Sequence, residues 1–387
     1  KSRRDFIKKF PFALSIPFSL SGFSVKAMGD NALTRLAAAT ADDNPRRLVI
    51  LQLHGGNDGL NCLIPVEAYD EYYRNRANIA IPAKNSIRKY IPLDSTLPSS
   101  QQVGLHPDMQ AMKTLYDQAR MTIVQGVSYQ NNNGSHFRGR DIQFMGGSAT
   151  DYYQSGWVGR YLQKEYSPAI YPNDFPSVEN PDPLAIEIGD DVSLLFHQEG
   201  NIPTSLSLTN IEGFAELVNE LEGFEDIEGI DPIGIPPLFL EGSPYYKELQ
   251  WILDLEDKSQ DYAARLKEVY DIGNGKPKAS YPSRYPFNAP EGSLVNRLSQ
   301  QLKIVANLIA GGCQTKVFLV RIGGFDTHAD QVVAGDPTMG GHAALMYHVA
   351  TSMKSFQEDL RIKGYEDDVL SVTTSEFGRR VYSNGSY

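Results

Sequence analysis

The chain has 387 residues, 41% hydrophobic and 21% charged, which is enough apolar mass for one large α/β domain or two modest ones. A formal charge of −11 argues against nucleic acid as the main partner. Cys62 and Cys313 form neither a disulfide framework nor a paired redox motif, and no internal apolar run reaches the length of a membrane span.

Charge is uneven at the start: residues 1–30 carry +4, so the remainder carries −15. Ser2-Arg3-Arg4-Asp5-Phe6-Ile7-Lys8-Lys9 opens the chain, followed by a moderately apolar stretch from Phe10 to Val25 broken by Pro11 and Pro17. A basic head before an apolar run is a signal-peptide layout, and this arginine pair is similar to a twin-arginine address read by an export receptor. The competing reading is a basic amphipathic arm. The expectation is a targeting segment over 1–28, a linker over 29–45, and a periplasmic or cell-surface protein.

Arg46 to Leu53 (RRLVILQL) predicts a buried parallel strand that empties into the glycine-rich loop His54-Gly55-Gly56-Asn57-Asp58-Gly59. His106 to Ala119 predicts a helix with Met109, Met112, Leu115 and Tyr116 on one face. Met121 to Val127 (MTIVQGV) predicts the next strand, then a polar loop and a short helix from His136 to Phe144. Leu184 to Ile188 predicts another strand. Residues 211–232 hold eight acidic residues and no basic one, with Glu212, Glu216 and Glu220 on one helix face. Such a face is solvated, or it is a cation or partner patch. Residues 245–270 predict a long helix, and 190–290 as a whole read as a variable insert.

Ser293 is the expected cap of a helix striped by Leu294, Leu298, Leu302, Val305 and Ile309 and stopped by Gly311-Gly312. Lys316 to Ile322 predicts a strand running into Gly323-Gly324-Phe325-Asp326-Thr327-His328. A helix over Gly341–Lys363 and a strand over Asp368–Thr374 follow, the latter ending in Ser375-Glu376-Phe377-Gly378-Arg379. The expected fold is a single α/β domain over 46–387. Its mostly parallel sheet holds 47–53, 121–127, 316–322 and 368–374, covered by helices on both faces.

Three predicted strands thus end in acidic or imidazole side chains beside glycine: Asp58, Asp326 with His328, and Glu376. Open parallel sheets bind ligands beyond the carboxyl ends of their strands. Carboxylates gathered there repel unless a cation neutralises them, and carboxylate with imidazole suits Zn, Mn or Fe, or Mg where carboxylates dominate. Loop hydrogen bonds are the plainer account of an Asp-x-His pair. His342 opens the next helix and is a further candidate ligand. Ser135 reads as a helix cap or as a hydroxyl nucleophile at a positive helix end. His136 could ligate metal or donate to an anion, and Arg138 would hold an anionic group; its plainer role is surface charge.

These residues resemble the bacterial family DUF1501. The matching pieces are the twin-arginine start, His54-Gly-Gly-Asn-Asp-Gly-Leu-Asn61, Gly104-Leu-His-Pro107, Ser135-His-Phe137, Gly156-Trp-Val-Gly-Arg160, Gly324-Phe-Asp-Thr-His328 and Thr374-Ser-Glu-Phe-Gly-Arg379. The resemblance implies an alkaline-phosphatase-like three-layer sandwich of the phosphatase and sulfatase superfamily. It implies metal ligands at Asp58, Asp326, His328 and Glu376, with Ser135 in the nucleophile's place. Phe377 stands where relatives often have histidine. Relatives continue to an Asp-His-Gly motif, which the resemblance sets beyond Tyr387. The arylsulfatase Cys/Ser-x-Pro-x-Arg pattern is absent, since Pro65 stands three residues after Cys62.

Two function classes follow. One is a metal-dependent hydrolase of phosphate or sulfate esters using Zn, Mn or Mg. The other is a non-catalytic binding or assembly protein whose tyrosine-rich stretches, near 150–175 and 240–285, contact glycans or partners.

Overall fold

Seven residues without a charged break after Arg47 make β1 (Arg47–Leu53), and all seven are buried. The structure, a computed structural model, describes residues 46–189, 192–209, 211, 242–243, 246 and 261–386. The expected targeting segment, the linker, the acidic segment beyond Ile211 and, apart from Tyr246, residues 245–260 of the helix expected over 245–270 lie outside the described residues.

The other strands are β2 (Leu63–Pro65), β3 (Ile91–Pro92), β4 (Val103–Leu105), β5 (Ala185–Ile188), β6 (His197–Gln198), β7 (Ile202–Pro203), β8 (Ser205–Leu208), β9 (Val317–Ile322) and β10 (Val369–Thr374). Five of them form an all-parallel sheet in the order β10-β1-β9-β5-β8, so the protein is α/β as expected. β1 and β10 pair from Arg47 opposite Val369 to Gln52 opposite Thr374, and β5 and β8 from Ala185 opposite Ser205 to Ile188 opposite Leu208. β2, β4 and β3 make a small antiparallel sheet, and β6 pairs with β7. β8 falls inside the region read as insert and is nevertheless an edge of the central sheet.

The chain divides into two units. The first takes the described residues of Lys1–Tyr153, Ala279–Lys303 and Val320–Tyr387. Its core sits around the helix Gly341–Lys363, which buries Ala344, Met346, Phe356 and Leu360 and packs against the helix Gln110–Asp117. Gly364 ends the long helix at φ +84°, a left-handed cap that glycine adopts without a Cβ clash. The second unit takes the described residues of Gln154–Lys278 and Ile304–Leu319. β5, the helix Trp157–Glu165 and a helix over 261–274 supply its buried Ile186, Leu162, Leu266 and Val269.

Two expectations need correction. Met121–Val127 is not a strand: it is irregular and largely exposed, with Val124 at 65% and Val127 at 54%. Gly126 at φ +69° turns the chain out of extended backbone. Ser293 does not cap the following helix, because a 3₁₀ turn occupies Glu291–Ser293. The helix instead runs over Arg297–Gly311, and Asn296 accepts the amide of Ser299 at its start.

Candidate metal centre

The loops after β1, β9 and β10 and the start of the helix His136–Met145 carry the site, all within the first unit. After β9 the chain turns at Gly324, φ +100°, and fully buried Phe325 anchors the turn. The Phe325 amide donates to the carbonyl of His54 at 3.2 Å, and the His328 amide to the carbonyl of Asp326 at 3.1 Å. This tight turn brings Nε2 of His328 to 2.8 Å from Oδ1 of Asp326. Ser135 caps the neighbouring helix by accepting the Arg138 amide at 3.3 Å. The next residue, His136, reaches the same oxygen, with Nε2 at 3.3 Å from Oδ1 of Asp326. Ligand atoms of His136, Asp326 and His328 all lie within 4.8 Å of one another.

Glu376 supports this group from below. Its side chain is wholly buried, its Oε1 accepts the Gly55 amide at 2.7 Å, and the same oxygen lies 3.1 Å from Nδ1 of His136. A carboxylate at Nδ1 favours the Nδ1–H tautomer and leaves the Nε2 lone pair facing Asp326. Two acceptors then face each other at 3.3 Å, an arrangement relieved by a cation between them or by a proton on His136. Gly55 is required here: at φ +119° a Cβ would stand 2.3 Å from the Asp326 amide nitrogen.

Arg379 ties the loops together. It donates to the carbonyls of Gly55 at 2.7 Å, Gly56 at 2.8 Å and Phe325 at 3.2 Å, and it also pairs with Oδ1 of Asp326. Partial burial pushes the Asp326 carboxyl up. The Arg379 hydrogen bond and charge, with His136 and His328, outweigh this and hold it below its ordinary value.

The other expected site residues go elsewhere. Asp58 is 1% exposed, and its Oδ2 accepts from Arg76 and, at 2.6 Å, from Gln331. His342 is buried, with Nε2 3.1 Å from Oδ1 of Asn57. Burial lowers its pKa to about 4, with Asp58 opposing and Arg76 assisting. It is therefore a neutral ring holding the first loop. Arg138 donates to the carbonyls of Ala149, at 2.8 Å, and Asp151, and its guanidinium lies 3.9 Å from the Tyr152 ring centroid. Its charge is committed to the loop after its own helix.

The structure thus brings together His136, Asp326, His328 and Glu376. Sequence reasoning missed Arg76, Gln331 and Arg379. Arg379 had a signal, as a cation inside a loop of acidic strand ends. Gln331 had none, because a lone glutamine in a polar loop carries no periodicity.

Among the described residues, His136, Asp326 and His328 are a group that could hold a metal ion. Metal bonds of about 2.0–2.1 Å set neighbouring tetrahedral ligands roughly 3.3 Å apart. The 3.3 Å from His136 Nε2 to Asp326 Oδ1 matches that spacing, while the 2.8 Å from His328 Nε2 to the same oxygen is a hydrogen-bond distance. The buried carboxylate behind His136 is the usual outer support of a metal-binding imidazole.

A scan against protein-family models, a search of curated proteins and a search of solved structures each find no match.

Proposed function

We propose that the chain is a metal-dependent hydrolase of phosphate or sulfate esters, working in the periplasm or at the cell surface after twin-arginine export. The observation that carries the reading is the His136, Asp326, His328 set with its ligand atoms inside 4.8 Å. The motifs behind the resemblance to DUF1501 include the loops that follow β1, β9 and β10, which supports an alkaline-phosphatase-like arrangement.

When bound, a divalent ion supplies Lewis acidity toward an ester oxygen. His136 and His328 would hold it through Nε2, and Asp326 through its carboxylate. Glu376 keeps the His136 ring in one tautomer and one orientation. Arg379 balances part of the carboxylate charge and adds positive potential for an anionic ester. His328, with its side chain 70% exposed, marks the solvent side by which substrate enters. Ser135 serves its helix as a cap, which favours water over the serine hydroxyl as nucleophile.

The test is metal content of the full chain, together with hydrolysis of aryl phosphates and aryl sulfates with and without chelator. Bound Zn or Mn and chelator-sensitive turnover are expected. A metal-free protein with chelator-insensitive activity overturns the reading.

A second reading, a non-catalytic binding or assembly protein, rests on a different observation: Asp58 is paired with Arg76, and Asp326 with Arg379. Arginine then does part of what a cation does in a catalytic site. A stably folded His136→Ala, His328→Ala variant with unchanged cellular function would favour it.

A further inference from the structure

We propose that Thr327 and Gln331 are positioning residues that latch the metal-binding turn to Asp58. The metal part of this inference rests on the reading above; the latch itself does not. Gln331 is 7% exposed and uses both ends of its amide. Its Nε2 donates to Oδ2 of Asp58 at 2.6 Å, and its Oε1 accepts the Thr327 hydroxyl at 2.7 Å.

Direction is imposed along this chain of contacts. An ionised Asp58 only accepts, so the amide nitrogen must face it and the amide oxygen must face Thr327. Asp58 is itself held by Arg76, which also donates to the carbonyl of Arg380 at 3.3 Å. The order is Arg76, Asp58, Gln331, Thr327, and Thr327 lies between the two ligands of the turn, Asp326 and His328. The other end of the turn is held at Phe325, by the carbonyl of His54 and by Arg379. With the turn tied at both ends, Asp326 Oδ1 and His328 Nε2 are held toward His136. Asp58 therefore acts on the turn through its Oδ2.

Thr327→Val removes the hydroxyl at nearly constant shape, Thr327→Ser restores it, and Gln331→Leu removes both contacts. Two measurements on the full chain decide. The first is backbone amide exchange over residues 324–331 in metal-free protein. The second is Co(II) affinity and the visible spectrum of the Co(II)-loaded protein, with thermal unfolding as a check on folding. Support that lies behind a metal ligand is commonly worth 10–100-fold in affinity. The expected result is about tenfold weaker Co(II) binding in Thr327→Val and Gln331→Leu, the lower end of that range. Both variants should also show a shifted spectrum and faster exchange at 326–328, while Thr327→Ser behaves as the parent. Unchanged exchange and spectra in Thr327→Val overturn the latch, even if Gln331→Leu fails to fold. A parent protein that takes up no Co(II) overturns the metal reading instead, and the exchange comparison still decides the latch.

Discussion

Oε1 of Glu376 stands 3.1 Å from Nδ1 of His136, two residues 240 positions apart in the chain. The contact is possible because β10 delivers Glu376 to the same edge at which the helix His136–Met145 begins. A ring held through Nδ1 presents Nε2 in one direction, so the carboxylate sets where Nε2 of His136 points. Glu376→Ala is expected to weaken Zn binding by about 10–100-fold, and Glu376→Gln by less, since the amide keeps an acceptor at the ring. Competition titration against a chromophoric chelator measures this. Parent-like affinity in Glu376→Ala would refute the orienting role.

The Asp58–Arg76 pair has side chains only 2% exposed on each partner. Removing one member of a buried pair strands the other charge and costs about 3–5 kcal/mol. Arg76→Met and Asp58→Ala should each lower the urea midpoint accordingly, and the Asp58→Leu, Arg76→Met double variant should recover part of the loss. Metal stoichiometry should stay at the parent value in Asp58→Asn. A lost equivalent would make Asp58 a ligand after all.

Stability should fall as pH drops below about 6.5, the ordinary histidine value. Burial holds His342 at about 4, and burial, then His342 and Arg88, hold His106 well below its ordinary value. The unfolded chain takes up protons in this window while the folded chain does not. Each buried histidine therefore costs about 1.4 kcal/mol per pH unit once pH is below the unfolded value. Asp108, 3.7 Å from His106, is pushed up by burial and acts in the opposite sense at lower pH. Urea midpoints between pH 7 and 5.5 isolate the histidines. A flat profile there, or an unchanged slope in His342→Asn, would contradict the assignment.

Met121–Val127 lies between two anchors beside β10. Arg120 pairs with Glu366 and Asp367, both at 2.8 Å, just before that strand, and His136 contacts Glu376 just after it. The span between is exposed and outside any ladder among the described residues. Its amides should exchange far faster than those of β1, and Val124→Ser should change stability by less than about 0.5 kcal/mol. Protection comparable to β1 would show that the segment is paired.

Much of the sheet was legible because strands buried on both faces are continuous apolar runs, as in β1 and β9. The long helix was legible to its ends because Gly340 and Gly364 bracket it. MTIVQGV has the composition of a strand, but a ladder partner and the backbone at Gly126 lie outside what composition encodes. The loop residues at the strand ends were legible as candidates, since a parallel sheet gathers those ends on one side. Which of them meet was not. Asp58 and Asp326 follow similar glycine-rich turns, yet one is claimed by Arg76 and Gln331 and the other faces two imidazoles. The sequence by itself marked β1, β5, β9 and β10 as strands, and marked the glycine turns and the short list of candidate ligands, because those depend on local pattern. Tertiary structure alone decided the grouping of His136 with Asp326, His328 and Glu376, because contacts of about 3 Å between distant positions depend on how helix and loops pack.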